Sequence, residues 1–115
     1  NADHLLEIYI LEGSQKSALE LANSSILSSS SQKALIGLYK HDPKTVVPLY
    51  QTLVNRTVSM GNGQAYRDAV EMILECRRLL KTANDTIIFN TMLDEVKVAN
   101  RPKRKFMQYL AESGL

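Results

Sequence analysis

The chain has 115 residues, of which 44% are hydrophobic and 23% charged, and its formal net charge is +2. A chain of that size can bury a core without staples, and so small a charge excludes a nucleic-acid reading built on overall charge. The single cysteine, Cys76, excludes a disulfide framework and a CxxC zinc site, and no apolar run approaches the roughly 18–20 residues of a membrane span.

The first predicted helix opens with Asp3 as its cap, carries Leu5, Leu6, Ile8, Tyr9 and Leu11, and stops at Gly13. Ser14 caps a second helix bearing Ala18, Leu19, Leu21 and Ala22, and the tight turn between the two makes them antiparallel. Residues 24–31 are mostly serine, a composition that favours loops and caps, with the Ile26-Leu27 pair seating the loop on the core. Ser31 or a neighbour caps a third helix with Ala34, Leu35, Leu38 and Tyr39, ending near His41-Asp42-Pro43.

Asp42-Pro43 is a cap followed by proline at the first helical position, where a missing N–H costs nothing. The fourth helix carries Val46, Val47, Leu49, Tyr50, Leu53, Val54 and Val58, and Pro48 in its second turn predicts a local bend or a delayed start. Gly61-Asn62-Gly63 is the clearest turn. The fifth helix, over 64–83, aligns Arg67, Asp68, Glu71, Glu75, Arg78 and Thr82 in one polar stripe. Tyr66, Ala69, Val70, Met72, Ile73, Leu74, Cys76, Leu79, Leu80 and Ala83 cover most of the remainder. An apolar arc that wide predicts an inner helix touched from both sides.

Asn84 or Asp85 opens a sixth helix with Ile88, Phe89, Met92, Leu93, Val96 and Ala99. Arg101-Pro102 ends it and starts a seventh, whose buried stripe is Phe106, Met107 and Leu110. The fold class is therefore all-α: about seven short antiparallel helices in stacked hairpins, forming one domain over 1–115. Hairpin starts near residues 3, 31 and 64 lie about 28 and about 33 residues apart, close to the period of tetratricopeptide-like helix pairs, which predicts a fragment of such an α-solenoid.

No catalytic, cofactor or metal site is predicted. His4 and His41, the two histidines, have no second ligand at metal spacing. Cys76 falls on an apolar face and reads as an inert thiol. Asp68, Glu71 and Glu75 lie outward beside Arg67 and Arg78 and read as a solvated, salt-bridged face rather than an acid–base pair. The sequons at Asn23, Asn55 and Asn84 read as chance matches in a chain with no secretory signal. The expected location is cytoplasmic, without membrane attachment. The Asn1-Ala2 start, lacking Met, reads as the remnant of a cleaved tag on part of a longer protein.

One segment departs from ordinary helix chemistry. Arg101, Lys103, Arg104 and Lys105 crowd a predicted helix N-terminus, where each cation opposes the dipole by up to about 1 kcal/mol. Either Asp94, Glu95 or Glu112 neutralises them, or they contact phosphate or an acidic partner.

Asp42-Pro43, Pro48-Leu49-Tyr50, Ala65-Tyr66, Ala69-Val70 and Leu74 lead on to Asn100-Arg101-Pro102-Lys103-Arg104-Lys105-Phe106 and a terminal Gly114-Leu115. Over Asp42–Leu115 this pattern resembles the C-terminal helical region of bacterial SWIM zinc-finger proteins. Leu5–Ala22, with its glycine turn and Ala18-Leu19-Glu20-Leu21-Ala22, is similar to that family's preceding helix pairs. The resemblance is most specific from residue 100 onward. It implies a zinc module upstream in the parent, since the family's Cys and His ligands are absent here, and it supplies no activity for the helical part.

Two functions follow as expectations. The first is a non-catalytic interaction module that binds another protein or its own parent chain. The alternative is a nucleic-acid accessory that holds phosphates with Arg101, Lys103, Arg104 and Lys105.

Overall fold

The structure, a computed structural model, describes residues 1–25, 27–80 and 82–115, with the backbone alone at Ala83. Among the described residues it is all-α, with seven helices and no strand. They are α1 (Ala2–Leu11), α2 (Gln15–Ser24), α3 (Ser29–Leu38), α4 (Pro43–Val58), α5 (Gly63–Leu79), α6 (Ala83–Ala99) and α7 (Arg104–Glu112). The helices group into two compact units, Asn1–Leu38 and Tyr39–Leu115.

In the first unit α1 and α2 pack together. Gly13 adopts φ +72. The Gly13 N–H donates to the Ile10 carbonyl and the Ser14 N–H to the Tyr9 carbonyl, so the last carbonyls of α1 are satisfied as the chain reverses. The cap of α1 is Asn1, not Asp3: the Asn1 side chain accepts the His4 N–H at 2.9 Å. Asp3 instead accepts the Ser28 N–H at 2.8 Å, and its carboxylate supports the start of α3. Ser14 holds the N-cap position of α2 without a side-chain hydrogen bond.

The serine run is less of a loop than its composition implies, because α2 extends to Ser24 and α3 begins at Ser29. Ser28, rather than Ser31, supplies the capping oxygen, accepting the Ser31 N–H at 3.2 Å. Leu27 is buried as expected, while its expected companion Ile26 lies outside the described residues. Leu6, Ala18, Leu35 and Ile36 are also buried in this unit.

In the second unit α4 starts at Pro43 with Asp42 as N-cap, and runs through Pro48 without interruption, so the delayed start does not occur. Gly61, at φ +74, turns the chain, and Asn62 accepts the Ala65 N–H at 2.8 Å to open α5. α5 ends at Leu79, four residues before the expected boundary. The cause is Thr82, which the apolar periodicity assigned to α5. It caps α6, accepting the Asp85 N–H at 3.1 Å while Asp85 accepts the Thr82 N–H at 3.3 Å. This reciprocal box displaces the expected Asn84 or Asp85 cap. Thr82→Ala should cost about 1 kcal/mol and lower the thermal midpoint by roughly 4–8 °C in a unit of this size, with Thr82→Ser close to wild type, as calorimetry would show.

The expectation of a two-sided α5 agrees with the packing. α4, α6 and α7 all contact it, and Ala69, Val70, Ile73 and Cys76 are buried along it. α6 also packs on α4, and α7 docks on α5 through Phe106, whose ring lies 5.8 Å from that of Tyr66. Two buried polar groups have partners inside the chain. Thr57 donates to the Leu53 carbonyl at 2.8 Å, and the Asn100 amide donates to Val96 at 2.8 Å and to Asn55 Oδ1 at 3.0 Å. The last pair ties the ends of α4 and α6 together.

Candidate functional site

The chain leaves α6 at its C-cap, Asn100, and re-enters a helix at Arg104. Between them the Lys103 N–H donates to the Asn100 carbonyl at 2.9 Å, forming a tight turn. This turn redistributes the cations relative to the sequence expectation. Arg101 directly follows the C-cap of α6, where a positive charge is favourable. Lys103 is the N-cap of α7, and Arg104 and Lys105 lie in its first turn, where the dipole disfavours them. A lysine cannot accept a hydrogen bond, so no side chain caps α7.

Arg101, Arg104 and Lys105 are exposed and Lys103 is half-buried. The local neutralisation offered by Asp94, Glu95 or Glu112 is not formed. Among the described residues no carboxylate oxygen lies within 4.0 Å of any of the four cations. Glu95 instead accepts from Gln51 at 2.8 Å, and Glu112 from Gln108 at 3.0 Å. The structure therefore brings all four predicted residues into one short, largely exposed strip with no counter-charge within 4.0 Å among the described residues.

An aromatic neighbour of this strip escaped sequence reasoning. Tyr109 sits one helical turn after Lys105 on α7, and the Arg67 guanidinium of α5 lies 5.5 Å from its ring centre. The pair spans two helices, so no spacing within the sequence signals it.

The other sequence candidates stay apart from the strip. Asp68, Glu71 and Glu75 are exposed on α5. They form a solvated face but not a salt-bridged one: among the described residues none pairs with Arg67 or Arg78 within 4.0 Å, and Asp68 accepts from Gln64 at 2.9 Å. His4 is exposed with Nδ1 3.7 Å from Glu7, and His41 is exposed at the turn into α4. Among the described residues no group of three His, Cys, Asp or Glu could hold a metal ion, and no helix is long and apolar enough to cross a membrane.

Three open recesses among the described residues went unnominated by the sequence. One of about 420 Å³ lies in the first unit beside Asp3, His4, Glu7 and Ser30. Two lie in the second unit: about 360 Å³ beside Lys40, His41, Arg78 and Asp85, and about 350 Å³ beside Arg77, Leu80, Phe89 and Leu93. Their lining residues come from separate helices, and no local motif marks such a set.

Cys76 is fully buried, and burial pushes its thiol up to about 12 from the usual 9.0. The same burial raises Tyr50, with Glu75 and Cys76 adding to the shift and Arg78 opposing it. Both groups are neutral acids favoured by folding. Above pH about 9 the unfolded chain loses these protons and the folded chain keeps them, so the unfolded state binds fewer protons and stability falls as pH rises. Denaturant midpoints should accordingly decline between pH 9 and 11. Iodoacetamide should label Cys76 only in denaturant; labelling of the native chain at pH 8 would contradict its placement. No family model matches the chain, and no curated protein or solved structure matches it either.

Proposed function

We propose that this chain is a non-catalytic helical interaction module, a tetratricopeptide-like stack that binds another protein or a further part of its own parent chain. The observation that carries this reading is the 101–105 strip. Four cations stand around the start of a short helix with no carboxylate within 4.0 Å among the described residues; three of them oppose its dipole, and Arg101, Arg104 and Lys105 are exposed. Such an arrangement is costly for folding alone and useful for contact. The packing order in the second unit, with α5 among α4, α6 and α7, supplies a packed base for that surface.

On this reading the module belongs to a bacterial, cytoplasmic SWIM zinc-finger protein, the family that Asp42–Leu115 resembles, with the zinc module outside the chain. The coding sequence around it tests that directly: a Cys/His zinc motif upstream supports the assignment, and an unrelated neighbour counts against it. The interaction reading predicts that the chain, used as bait, retains one protein in stoichiometric amount or crosslinks to its own parent. Neither outcome occurring, with the module tumbling freely of its parent, would refute it.

The same cations favour one second reading, a nucleic-acid accessory. It requires binding that weakens steeply with salt and a slope that flattens when the strip is neutralised.

A further inference from the structure

We propose that the 101–105 strip docks a short acidic segment of a protein, rather than a nucleic-acid backbone. This inference rests on the interaction-module reading and specifies the chemistry of its partner.

Four of the chain's 14 Lys and Arg stand in this strip, and all 12 Asp and Glu lie elsewhere, where they outnumber the remaining cations. Acidic groups for internal neutralisation were therefore available, yet none is within 4.0 Å among the described residues. The strip is a concentrated positive feature on a chain whose remainder is net negative.

Five residues reach at most about 17 Å even when fully extended, and here they fold into a turn and a first helical turn. A duplex presents a phosphate about every 3.4 Å along each strand and continues far past such a strip in both directions. Along α7 it would meet Glu112, which shares the outward face with Arg104, Lys105 and Gln108. A short run of carboxylates matches the strip in length and ends before that residue. Arg101 and Arg104 can each grip a carboxylate with two parallel N–H donors, and Lys103 and Lys105 add point charges.

Sequence-tolerant nucleic-acid grooves add exposed aromatic faces on which bases stack. Tyr109, the ring nearest along the α7 face, is half-buried and already covered by Arg67 at 5.5 Å.

The test uses the full chain and fluorescence anisotropy at low salt with two probes, a labelled glutamate-rich peptide and a labelled DNA duplex. The peptide should bind, and binding should weaken about tenfold in the combined variant Arg101→Gln, Lys103→Gln, Arg104→Gln, Lys105→Gln. It should change less than twofold in Lys40→Gln/Lys44→Gln, which removes two cations at another site. The quadruple variant should melt no lower than wild type, because three of its cations oppose the α7 dipole. Absence of peptide binding, equal binding by the quadruple variant, or tighter binding of the duplex than of the peptide would overturn the inference. Partner capture with the same variant separates the two readings. A partner that the variant still retains leaves the interaction module standing and overturns only the strip.

Discussion

Ile73→Asp should abolish the cooperative unfolding transition of the second unit. Ile73 is fully buried on α5, the helix that α4, α6 and α7 all contact. A carboxylate there loses its hydration and gains no cation, a deficit of several kcal/mol. Native domains hold only about 5–15 kcal/mol in reserve, so the change removes most or all of it. Glu71→Gln, two residues away on the exposed stripe, should stay within about 0.5 kcal/mol of wild type. Far-UV circular dichroism on heating distinguishes the two. A sharp transition in Ile73→Asp near the wild-type midpoint would show that α5 is not an inner helix.

Phe106→Ala should cost about 3–5 kcal/mol, the range for removing a buried aromatic ring. Phe106 is fully buried, and its ring lies 5.8 Å from Tyr66 at 46° between planes. α7 is short and is anchored by Phe106 and Leu110 alone as fully buried residues, so loss of this ring should free the helix and with it the cationic strip. Urea denaturation gives the midpoint, and hydrogen exchange should show α7 amides opening first. Phe106→Leu keeps most of the buried volume and should lose less than half as much.

The helical class was legible because apolar periodicity is a property of each segment by itself, and α4, α5 and α6 carry it over four or more turns. Gly13 and Gly61 were legible as stops because only a residue without Cβ takes their positive φ easily. The caps were harder. Asp3 is a plausible cap for its own helix, but its carboxylate turns to Ser28, 25 residues away, and Asn1 replaces it. Thr82 fits the polar stripe of α5, yet it pairs with Asp85 and begins α6. In both cases a short polar side chain had two possible backbone partners, and tertiary placement chose between them.

The candidate strip was legible as four cations in five residues. Its context was not, because whether Asp94, Glu95 or Glu112 neutralised it depended on where α6 and the end of α7 lie. Gln51 and Gln108 take two of those carboxylates, which no spacing rule anticipates for Gln51, 44 residues from Glu95. The Arg67–Tyr109 contact is likewise a product of α5 meeting α7.

The proposed contact is between the outward face of α7 and a protein. A photo-crosslinking residue placed at Gln108, exposed and one turn from Arg104, tests it in the intact cell. The expected product is a single protein adduct whose crosslinked segment is rich in Asp and Glu, and which is lost when Arg101, Lys103, Arg104 and Lys105 are all changed to Gln. Adducts to nucleic acid alone, or the same yield of protein adduct from the neutralised variant, would contradict it.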